Sequence, residues 1–145
     1  MSRGFEAKRT VTINAPRATV WDALTEPEMV RQYMHGTNLL TDWKEGSPIS
    51  WKGEWKGNSY EDKGTVLAVK PQQFLKYTHW SPMGGSEDKP ENYRTVTYEL
   101  SVEGGTTRLT LTQDNNATQE EADQMAEDNW GPVLQGVKET AEATS

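Results

Sequence analysis

His79 and Tyr98 are the side chains of this sequence best placed to move a proton on an enclosed molecule, because each lies on a run that alternates like a strand. Leu75, Tyr77 and His79 share one face of the first run, and an imidazole there can orient a ligand or exchange a proton near neutral pH. The structural alternative is a histidine hydrogen-bonded to a neighbouring strand or to Tyr98. Six tryptophans are the strongest compositional oddity, and aromatic rings give a large contact area at little rotamer cost. Trp51 and Trp55 fall on one face of a strand, while Trp130 sits on a closing helix with Met125 and Asn129. Such rings either line a pocket for a flat or apolar ligand or fill an ordinary core. The expected ligand-binding set is Trp51, Trp55, Tyr77, His79, Tyr98, Met125, Asn129 and Trp130, with no residue assigned a catalytic role.

Other chemistries lack their residues. The chain has no cysteine, which removes disulfides, thiolate metal sites and cysteine nucleophiles. Two histidines in separate segments, His35 and His79, give no zinc-ligand spacing, so no metal is expected. No G-x-S-x-G elbow and no G-x-x-x-x-G-K-[ST] phosphate cradle occurs, and no cofactor is expected. A net charge of −7 repels a nucleic-acid backbone or an anionic membrane surface. No apolar stretch approaches the roughly 20 residues of a membrane span, and MSRGFEAKRT has no signal-peptide apolar region. The expected setting is therefore cytoplasmic, without nucleic-acid or membrane partners.

The elements that must hold these side chains can be read from periodicity. Glu6 to Asn14 alternates, with Ala7, Arg9, Val11 and Ile13 on one face. Pro16 presets a helical turn; Val20, Trp21 and Leu24 form a short helix's apolar side, and Thr25-Glu26-Pro27-Glu28 resembles a capping box opening a second short helix with Met29, Val30 and Tyr33. Ile49 to Trp55 and Tyr60 to Val69 read as a hairpin across Gly57-Asn58. Phe74 to Trp80, Tyr93 to Val102 and Thr106 to Thr112 follow, the last two joined by Gly104-Gly105, whose positive φ angles suit a two-residue turn. Ser81 to Asn92, rich in Gly, Pro and charge, reads as a mobile loop able to rim a cavity. Thr118 and Glu121 form a second capping box, opening a helix in which Ala122, Met125, Asn129, Val133, Val137 and Ala141 recur near helical spacing. Pro132 should kink or restart that helix, and Gly136 should let its backbone approach the sheet closely. The order predicts an α+β fold over residues 1–145 as one domain. Its curved antiparallel sheet of six or seven strands grips a long C-terminal helix, two short helices follow the first strand, and a cavity lies between sheet and helix.

The runs VTINAPRATVWDALTEPEMVRQY, GTVLAVKPQQFLKYTHW, TVTYELSVEGGTTRLTLTQ and NWGPVLQGVKETAE, in that order, resemble the activator of heat-shock protein ATPase homologue family, in the START-like (SRPBCC, birch-pollen-allergen-like) superfamily. The resemblance covers nearly the whole chain, and it is carried by order and spacing more than by any single motif. It implies a helix-grip fold with an internal cavity. Members of the superfamily bind lipids, steroids, plant hormones or polyketides, and some catalyse cyclisation or hydrolysis. His79 falls where the family often has a tryptophan, and Pro132 within the helix is a second departure.

The expected function is binding of a small apolar or aromatic molecule in the cavity. Two rivals remain: a cyclase- or hydratase-type enzyme working in the same cavity, and a chaperone-cofactor-like module that binds a protein partner through its surface. A closed core would favour the interaction module, an open dry cavity the binder, and converging polar groups the enzyme.

Overall fold

Alternating apolar residues become register in a seven-stranded sheet whose neighbours are all antiparallel. The computed structural model describes residues 4–34, 36–55, 57–82 and 87–144, with Trp55 described by its backbone alone. In chain order the elements are β1 (Phe5–Ile13), α1 (Arg17–Thr25), α2 (Pro27–Tyr33), β2 (Asn38–Leu40), β3 (Pro48–Trp55), β4 (Asn58–Lys70) and β5 (Phe74–His79). After the loop come β6 (Arg94–Glu103), β7 (Thr106–Asn116), α3 (Gln119–Gln124) and α4 (Gly131–Thr144), with a π-helical segment, Met125–Trp130, joining the two helices. The strand order is β1-β7-β6-β5-β4-β3-β2, so the first strand closes against the last and every other pairing is between sequence neighbours.

The core lies between this sheet and the helices. Ile13, Val66, Leu75, Val96, Leu109 and Leu111 are buried on the strands, and Val20 and Ala23 of α1 cover them from one end. Leu134, Val137 and Ala141 of α4 are buried at helical spacing on the side facing the sheet. The result is a helix grip, with the long C-terminal helical segment held in the curve of the sheet.

Several local expectations change on folding. Thr25 does not cap α2: its hydroxyl turns back to donate to the Trp21 carbonyl at 2.8 Å, and Pro27 opens α2 with no N–H to satisfy. Thr118 does cap α3, accepting from the Glu121 N–H at 3.0 Å, but the Glu121 carboxylate reaches the N–H of Ala117 rather than that of Thr118. The interruption at Pro132 takes the form of the π segment, after which α4 restarts with Gly131 and Pro132 in its first turn. β2 is the one strand without a periodic signal, since three residues are too few to show alternation. At Gly64 of β4 an added Cβ would lie 1.7 Å from the Thr78 carbonyl oxygen, so no other residue fits there.

Candidate functional site

Cross-strand pairing stacks the inward side chains of β3, β4, β5 and β6 into one aromatic wall. Trp51 pairs with Asp62, and Leu75 with Tyr98, so period two carries Tyr77 and His79 onto the same face. The Trp51 ring lies 5.2 Å from that of Tyr77 and meets the His79 ring edge-on at 5.1 Å; Tyr77 and Tyr98 are 6.3 Å apart. These distances are those of favourable tilted and edge-to-face aromatic contacts.

Facing this wall, Trp130 and Val133 come from the C-terminal helix, and Leu24, Val30, Tyr33, Met34, Leu39 and Trp43 come from the α1–α2–β2 side. Between them is a cavity with about 60 Å³ in which the centre of a water molecule can move. By that measure a single water needs roughly 10–15 Å³, so the space suits a group of a few heavy atoms, not a lipid.

Polar groups are few and mostly committed. Tyr33 donates to the Ala23 carbonyl at 2.7 Å, and the Tyr77 and Tyr98 hydroxyls are hydrogen-bonded to each other. Burial holds the Tyr33 and Tyr77 phenols well above the usual tyrosine value and pushes Tyr98 up to about 12, so all three stay neutral at physiological pH. Trp43, in a left-handed backbone conformation at φ 58°, donates its indole N–H to the Thr25 carbonyl at 3.1 Å. The Trp130 indole donates to Oε1 of Gln113 at 3.2 Å, which fixes the ring against β7.

The remaining polar pair is Asp62 and His79. Oδ2 of Asp62 lies 3.0 Å from Nε2 of His79, with about a quarter of each side chain still exposed. Oδ1 of Asp62 is buried and has no donor among the described residues. Each buried acceptor of this kind calls for a physical explanation.

Of the eight residues expected to bind ligand, Trp51, Tyr77, His79, Tyr98 and Trp130 meet on this cavity. Asn129 is exposed and Met125 half-buried, and neither is on its wall. The cause is the π segment: its wider turns break the three-to-four-residue spacing that placed Met125 and Asn129 on the inward stripe, and Trp130 takes the inward position. The Trp55 side chain lies outside the described residues, as does His35. Sequence reasoning missed Asp62, Trp43 and Tyr33. Asp62 could have been found, since period two puts it on the face of Val66, whereas nothing local turns Trp43 inward.

The expected cavity rim is described only in part. Residues 83–86 of the Ser81 to Asn92 loop lie outside the described residues. The described part is tied to Lys63 by an ion pair from Asp88, and Asp88 also accepts from Tyr93 at 2.5 Å. Lys63 alternates with Asp62, so this clasp lies on the sheet face pointing away from the cavity. Among the described residues no three His, Asp or Glu side chains gather as a metal-binding group, and no helix is long and apolar enough to cross a membrane.

Comparison with known proteins agrees with this architecture. A family model described as Activator of Hsp90 ATPase homolog 1-like protein matches residues 14–142. The solution structure of a Cytophaga hutchinsonii protein is 46% identical, with 99% of this chain and 98% of that one covered and a TM-score of 0.84. The crystal structure of a Mesorhizobium loti protein, 21% identical, covers 97% of this chain and 99% of its own at a TM-score of 0.76. The solution structure of the Aha1 dimer from Colwellia psychrerythraea is 19% identical, covers 95% and 96%, and has a TM-score of 0.70. At these lower identities the likeness is one of fold. No curated protein matches the chain.

Proposed function

The chain belongs to the family of Activator of Hsp90 ATPase homolog 1-like proteins, and from that premise we propose that it binds one small, largely apolar molecule in the cavity between its sheet and its C-terminal helix. The observation that carries this reading is the convergence of Trp43, Trp51, Tyr77, Tyr98 and Trp130 on one small space within the core. An aromatic-walled recess with a few oriented polar groups is the usual form of a small-molecule site. Its presence supports a binder over a module that works through its surface alone. The size limits the occupant: a molecule of more than a few heavy atoms requires the wall to give. The α2–β2 side, built of a seven-residue helix and a three-residue strand, has the least regular structure to hold it.

Native mass spectrometry of protein purified from its own source tests the reading. A retained small molecule whose removal changes tryptophan fluorescence supports it. Binding that perturbs only the outward face of the sheet overturns it.

One observation favours a second reading, proton-transfer catalysis on the enclosed molecule. Asp62 holds Nε2 of His79 at 3.0 Å and so fixes the ring's orientation, as a carboxylate orients a general base in many enzymes. Full turnover by His79→Gln on any substrate found for the cavity would remove this role and leave binding intact.

A further inference from the structure

Among the described residues the cavity wall carries one carboxylate, that of Asp62, and no Lys or Arg. One of its oxygens is engaged by His79. The other, Oδ1, is buried with no donor among the described residues, and a buried acceptor left so is costly unless something supplies a proton to it. Around it stand rings whose faces attract cations: Trp51 pairs directly across the strands from Asp62, Tyr77 lies 5.2 Å from Trp51, and Trp43 and Trp130 close the space from the other side. Neutral phenols at Tyr33, Tyr77 and Tyr98 add no competing negative charge. A carboxylate in an aromatic surround, with one oxygen engaged by His79 and the other without a donor among the described residues, matches an occupant that is cationic, donates N–H, and has a short apolar body.

Resting on the cavity-binding reading above, we propose that the cavity selects a small protonated amine, with its ammonium on Asp62 and its apolar body against Trp51 and Tyr77. A carboxylate ligand is repelled by the same arrangement. A quaternary ammonium would satisfy the rings but not Oδ1, so the site prefers amines that keep an N–H.

The test uses isobutylamine, isobutanol and isobutyrate, which share one apolar body, titrated into the full chain and followed by tryptophan fluorescence and amide chemical shifts. Isobutylamine should bind about tenfold or more tightly than isobutanol, the ratio expected of a hydrogen bond to a charged group, with isobutyrate weakest. In Asp62→Asn that preference should fall to about one while isobutanol binding persists, which also reports that the cavity has folded. Equal affinities of the three probes, or an amine preference that survives Asp62→Asn, would overturn the amine assignment and leave cavity binding standing. If none of the three perturbs cavity residues at any attainable concentration, the binding reading and the amine assignment fall together.

Discussion

Gly136 on α4 and Tyr33 on α2 approach so closely that one added carbon does not fit between them: a Cβ built on Gly136 would lie 2.5 Å from the Cβ of Tyr33. The close approach expected of Gly136 is therefore real, but its partner is a helix and not the sheet. Gly136→Ala should lose roughly 1–3 kcal/mol to overpacking, against a gain of up to about 1 kcal/mol from helix propensity. Chemical denaturation should show net destabilisation, and amide shifts should move at the cavity because Tyr33 lines it. An unchanged or raised midpoint would mean that α2 yields freely.

Trp130 and Gln113 separate ring packing from hydrogen bonding. Trp130→Phe keeps an aromatic body and leaves Oε1 of buried Gln113 without its indole donor, a loss of about 1–3 kcal/mol. Trp130→Ala removes the body as well and should approach the roughly 3–5 kcal/mol of large-to-small changes, reduced because the ring is only half-buried. Equal midpoints for the two variants would show that the ring contributes only through its N–H.

Replacing His79 probes the Asp62 carboxylate. His79→Gln can still donate to Oδ2 and should stay within about 1 kcal/mol of the parent, whereas His79→Leu withdraws the donor and should cost roughly 1–3 kcal/mol. Thermal unfolding of the pair measures the difference. Matching midpoints would indicate that water satisfies Asp62 as well as His79 does.

Alkaline stability follows from the buried phenols. Tyr98 has its pKa raised from 10.0 to about 12 by burial, so the folded state keeps a proton that the unfolded state releases. Its contribution is complete below pH 10 and is lost as pH rises through 10 toward 12; Tyr33 and Tyr77 act in the same direction. Phenolate absorbance should rise together with loss of circular dichroism. Smooth titration of all five tyrosines in a folded chain would contradict the burial.

The strands were legible because their side chains alternate for long enough: Leu75, Tyr77 and His79 announce their face, and Trp51 shows its own within an alternating run. Asp62 stands in the polar run before Gly64, where a carboxylate reads as solvent-facing, and its inward face emerges only when the two-residue period is carried back from buried Val66. Trp43 is set by a backbone conformation and an indole hydrogen bond to Thr25, a tertiary contact with no periodic trace. Asn129 misleads for the opposite reason, since a regular helical period does not run through the π-helical segment that carries it.

That segment makes the cavity sensitive to residue number as well as residue type. A substitution scan holds the count between Gln124 and Gly131 fixed and leaves the angular setting of α4 untouched. Removing a single residue there would let the segment tighten to α-helical turns, shifting Trp130 off its present bearing while the helix beyond keeps nearly its own. Length variation at this one turn is thus a way for relatives sharing the same sheet to present a different wall to whatever they enclose.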